Sequence, residues 1–81
     1  MPPRAEPQVA LGQAVKRLRE KRGLTQETVA HAAGVHPTWV SRLECGRLNP
    51  SWGMVERVAE ALGIKPSDLA KAAEGSKKRR G

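Results

Sequence analysis

Thr38, Ser41 and Arg42 stand three and four residues apart, so a helix turning 100° per residue gathers them on one side. Two small hydroxyls and a guanidinium make a short strip of hydrogen-bonding groups with no nucleophile–base pairing among them. The chemistry such a strip suits is a helix laid into the DNA major groove, where base edges offer matching donors and acceptors. Pro37 and Trp39 flank it, and Val40, Leu43 and Glu44 fall on the opposite side. A plain solvated face, which every small helical protein needs, would read the same way, and periodicity does not separate the two.

The strip requires a helix whose back is held. The stretch from Leu24 to Gly46, LTQETVAHAAGVHPTWVSRLECG, supplies one. Val29, Ala30 and Ala33 share a face in its first half, and Val40 and Leu43 in its second, which predicts two short amphipathic helices. Gly34 stands between them, where a left-handed residue ends the first helix. Pro37 follows at the first position of the second helix, where its fixed φ and missing N–H fit. Thr25 is a favourable N-cap for the first helix, with Glu27 in the turn that attracts negative charge.

The rest of the 81 residues narrows the choice of chemistry. No paired carboxylates, nucleophile–base set or phosphate-cradling glycine loop is present, so an enzyme is disfavoured and no cofactor is implied. His31, His36 and Cys45 lack the spacing of a structural zinc site. The single cysteine excludes an internal disulfide and fits a reducing compartment. Without an apolar run long enough for a membrane span or a signal peptide, the expected location is the cytoplasm.

A net charge of +7 fits a polyanionic partner, but its distribution is uneven. Residues 1–24 carry +4 and the last six, SKKRRG, another +4, whereas residues 25–50 sum to zero. Charge by itself therefore suits nucleic acid or an acidic protein. With no Phe, no Tyr and two Trp, the core has to be built from Leu, Val, Ile and Ala, which suits an all-α bundle.

Five helices are expected. The first runs from about Val9 to Arg22 with Leu11, Ala14, Val15 and Leu18 inward, and the second begins after Thr25. The third spans about Pro37 to Cys45. The fourth follows N-cap Ser51 to Leu62, with Trp52, Val55, Val58, Ala59 and Leu62 inward. The fifth runs from Pro66 to about Ala73. This divides the chain into a disordered arm at 1–8, a domain at 9–74 and a disordered basic tail at 75–81. Arg4 gives the arm some capacity to reach a minor groove.

Leu18-Arg19, Gly23-Leu24-Thr25-Gln26, Val29-Ala30, Ala33-Gly34-Val35, Val40-Ser41-Arg42-Leu43-Glu44, Gly46, Asn49-Pro50-Ser51 and Ala59-Glu60-Ala61-Leu62-Gly63-Ile64 form a gapless series over roughly Val9 to Ala73. In this series the chain resembles the phage-repressor (Cro-like or Xre-like) helix-turn-helix family. The resemblance implies a compact five-helix repressor-like bundle that binds operator DNA and regulates transcription, most simply as a repressor. It makes the third helix the recognition helix, with base contacts from Pro37, Thr38, Ser41 and Arg42. Pro37 departs from the family here: with no N–H and no polar side chain it can offer only shape or a methyl contact, which leaves Thr38 and Arg42 as the main readers.

The resemblance also implies that Gln26 bonds a phosphate and that Arg47 and Asn49 flank the DNA backbone. It pairs Arg19 with Glu44, a structural ion pair behind the recognition helix, where an unpaired charge would be costly. His36 occupies the N-cap position usually held by Ser, Thr or Asp and is read as a weak cap and a phosphate contact that strengthens at low pH. Trp39 divides between a lid on the core and an indole donor to phosphate. The family often forms homodimers through the fourth and fifth helices, and a dimer on an inverted repeat is expected here. The alternative is an antitoxin or controller whose main contact is a partner protein and whose DNA binding serves autoregulation.

Overall fold

A computed structural model describes residues 7–78, the last three by backbone alone. The helices are α1 (Pro7–Lys21), α2 (Gln26–Ala33), α3 (Pro37–Glu44), α4 (Trp52–Leu62) and α5 (Pro66–Lys78), with no strand among the described residues. Side-chain oxygens begin two of them: Thr25 Oγ1 accepts from the Thr28 N–H at 3.0 Å, and Ser51 Oγ from Met54 at 3.2 Å. One bond pattern ends four. At the close of α2 the Gly34 N–H (φ 74°) donates to His31 and the Val35 N–H to Ala30, satisfying two carbonyls the helix leaves open. The same pair of bonds closes α1, α3 and α4.

The core is Ala14 and Val15 of α1, Val29 and Ala30 of α2, Val40 and Leu43 of α3, Val58, Ala59 and Leu62 of α4, and Leu69 of α5. α1 packs on α5 and α3, and α2 on α3 and α4. Small side chains allow close approach. A Cβ added to Gly12 would overlap the carbonyl oxygen of Leu43, so α1 and α3 touch backbone to backbone. At the end of α3 the space beside Gly46 is filled by Val9, which a Cβ would meet at 2.9 Å.

The structure differs from the sequence expectations in four places. In α1 the fully buried residues are Ala10, Gly12, Ala14 and Val15, while Leu11 and Leu18 are half-buried at the edges of the core. Trp52, expected inward, is 60% exposed. It is on the same stripe as Val55, one turn earlier, and it borders an open groove with Pro7, Leu11, Val55 and Ala73. α1 begins at Pro7, so Pro7 and Gln8 belong to the bundle rather than to an arm. α5 continues through Gly75 to Lys78 instead of ending near Ala73. Ala72 and Ala73 still touch the core. The expectations for Arg4 and for residues 79–81 lie outside the described residues.

Candidate nucleic-acid interface

Three features set the start of α3. His36 is extended (φ −76°, ψ 144°), Pro37 takes the first helical position, and the His36 Nδ1 accepts the Thr38 N–H at 3.1 Å. Accepting at Nδ1 requires that nitrogen to be unprotonated, which leaves Nε2–H as the ring's donor.

From that start the helix sorts its side chains. Val40, Leu43 and Glu44 are buried, Thr38 and Arg42 are exposed, and Pro37, Trp39 and Ser41 are half-buried. Trp39 also packs against the core. Arg47 and Asn49 are exposed in the loop that follows. The presented groups are thus one hydroxyl, one guanidinium and the partly open Ser41, with further polar side chains beyond the helix end.

Behind the helix lies a charged cluster. Arg19 Nε donates to Glu44 Oε2 at 2.6 Å and Nη2 to Oε1 at 3.0 Å, a two-pronged pair with side chains 11% and 3% exposed. Arg19 Nη1 also donates to the carbonyl of Leu24 at 2.8 Å. The Glu44 hydrogen bond, reinforced by attraction to its charge, holds the guanidinium above its ordinary pKa against the opposing effect of burial. One arginine therefore joins α1, the α1–α2 turn and the end of α3. Among the described residues no buried side-chain nitrogen or oxygen lacks a partner.

Gln26, the first residue of α2, is half-buried and enters the same cluster, its Nε2 donating to Glu44 Oε1 at 2.9 Å. Sequence reasoning assigned it to phosphate and missed this bond. The partners are 18 residues apart, and no local pattern signals such a meeting. Two other residues were also missed. The guanidinium of Arg57 in α4 stands 4.0 Å from where a Cβ on Gly34 would sit, placing a cation at the α2–α3 turn. Arg17 of α1 is exposed yet donates to the Ala72 carbonyl of α5 at 3.2 Å.

Among the described residues no three His, Cys, Asp or Glu gather as metal ligands would, and no helix is long and apolar enough to cross a membrane. The candidate surface comprises α3, the turn before it and the loop after it. A family model described as a helix-turn-helix domain matches residues 10–72.

The chain belongs to that family. Its likeness to named relatives runs through the same region. It is 37% identical over 59 residues to the control protein C.BamHI of Bacillus amyloliquefaciens, covering 72% of this chain and 73% of that one. To the immunity repressor protein of Bacillus phage phi105 it is 39% identical over 61 residues, 75% of this chain and 42% of the repressor. Among solved structures, the clp gene regulator ClgR from Corynebacterium glutamicum superposes with a TM-score of 0.91 at 33% identity, over 96% of this chain and 83% of ClgR.

Proposed function

We propose that this helix-turn-helix protein binds duplex DNA sequence-specifically, as a homodimer on an inverted repeat, and regulates transcription by occupying its operator. The observation that carries the reading is the division of α3. Its back is fixed by Val40, Leu43 and the Arg19–Glu44 pair, and its front presents Thr38 and Arg42. Rigid support behind and hydrogen-bonding side chains in front are what base reading in a major groove requires. In this reading Thr38, Ser41 and Arg42 contact bases and Pro37 supplies shape, while Gln26, His36, Trp39, Arg47 and Asn49 lie along the phosphates.

The exposed Trp52 at the head of α4, beside the groove formed with α1 and α5, is the apolar surface a second copy would cover. The protein acts in the cytoplasm, by occupancy rather than by catalysis. The likeness to a phage immunity repressor favours repression. The likeness to a control protein supports a second reading, a controller that regulates its own operon and answers to a protein partner.

Selection of bound sites from a random duplex pool tests the main reading. Enriched sequences should be palindromic, with half-sites about one helical turn, ~34 Å, apart. A pool that stays unenriched would overturn it.

A further inference from the structure

We infer that Glu44, besides pairing with Arg19, is a positioning residue for the backbone contact of Gln26. Its carboxylate pre-sets the Gln26 carboxamide as a donor to a DNA phosphate. The inference rests on the duplex-binding reading above and adds the means by which one of its contacts is prepared. Glu44 Oε1 receives two donors, Arg19 Nη2 at 3.0 Å and Gln26 Nε2 at 2.9 Å, while Oε2 receives Arg19 Nε.

A carboxylate can only accept, so the amide must turn its nitrogen and not its oxygen toward Glu44. That bond uses one of the two amide hydrogens and leaves the other for a second acceptor. Ordering a long glutamine side chain costs conformational entropy. Here that ordering accompanies folding, so it does not weaken docking.

Arg19 completes the device. A bare carboxylate bonded to a phosphate-binding amide would repel the phosphate. With the guanidinium on both oxygens the pair is neutral overall, and the polarised amide remains a good donor. The row Arg19–Glu44–Gln26 thus begins inside the bundle and ends at the first residue of α2.

Two measurements test this. In the free wild-type protein, nitrogen relaxation of the Gln26 side-chain amide should give an order parameter in the rigid range, about 0.8, and a value below about 0.6 would overturn the inference. Affinity for a random-sequence duplex is then measured at two salt concentrations for Gln26→Ala, Glu44→Gln and the double variant, each checked for folding at the assay temperature. Glu44→Gln should weaken binding about three- to tenfold with Gln26 present and less than about twofold once Gln26 is alanine. Equal losses in both backgrounds, or no loss in either, would make Glu44 purely structural.

The two readings fail differently. Gln26→Ala that weakens binding beside a mobile amide keeps the phosphate contact and removes the positioning. Gln26→Ala that leaves affinity and salt slope unchanged removes the contact and with it the need for positioning. If Glu44→Gln does not fold, the relaxation measurement on the wild-type chain decides.

Discussion

Gly12 of α1 and Leu43 of α3 meet backbone to backbone, with no room for even a methyl group between them. Two effects of Gly12→Ala oppose each other. Helix propensity favours alanine by about 1 kcal/mol, whereas overpacking a closed contact costs about 1–3 kcal/mol or more. The clash involves a backbone carbonyl, which cannot swing aside, so overpacking should win. Denaturant unfolding should show a net loss of at least about 1 kcal/mol, and a gain would mean that α1 and α3 are not this close.

The Arg19–Glu44 pair is nearly closed to water, so removing one partner strands a charge. Glu44→Ala or Arg19→Met should each destabilise the domain by about 3–5 kcal/mol. Replacing both residues with apolar side chains of similar volume should recover most of that loss, because the expense lies in the unpaired charge. Single variants within about 1 kcal/mol of wild type would show the pair to be wet.

His36 caps α3 through an imidazole lone pair that accepts the Thr38 N–H. His36→Ala should therefore cost about 0.5–1 kcal/mol of stability. Denaturant unfolding of both proteins makes the comparison, and an unchanged stability would dismiss the cap.

Arg42 is exposed on the presented side of α3. A two-pronged contact to guanine would make Arg42→Ala lose about 1–3 kcal/mol on the selected site and little on random duplex. Titrations on both duplexes at one salt concentration decide, and equal losses would reassign Arg42 to phosphate.

Trp52 is 60% exposed, so its indole contributes little to the fold of a single copy. Trp52→Gln should leave unfolding stability within about 0.5 kcal/mol while weakening self-association by about 2 kcal/mol or more. Sedimentation across a dilution series reads the second effect. Unaltered association would place the dimer contact elsewhere.

The local parts of this fold were legible because each depends on a few neighbouring residues. Thr25 and Ser51 are caps by side-chain chemistry, and Gly34 and Pro37 bracket the turn by their backbone geometry. What the sequence did not show depends on what stands opposite. Gly12 looks like a weak spot in α1 until Leu43 is placed against it, although a glycine inside an amphipathic helix is itself a hint of close approach. Trp52 has the right angular position for a core residue but borders an open groove instead. The strip on α3 was read from periodicity and resemblance, but the Gln26–Glu44 bond needed three-dimensional neighbours.

The placement of the two indoles has a practical consequence. The chain has no tyrosine, so its near-ultraviolet emission comes from Trp39, half-buried on α3, and Trp52, open at the head of α4. Replacing Trp52 with phenylalanine would leave a single fluorophore on α3, and the converse replacement a single fluorophore beside the groove. Operator docking and subunit assembly could then be followed as separate optical signals in one unlabelled polypeptide.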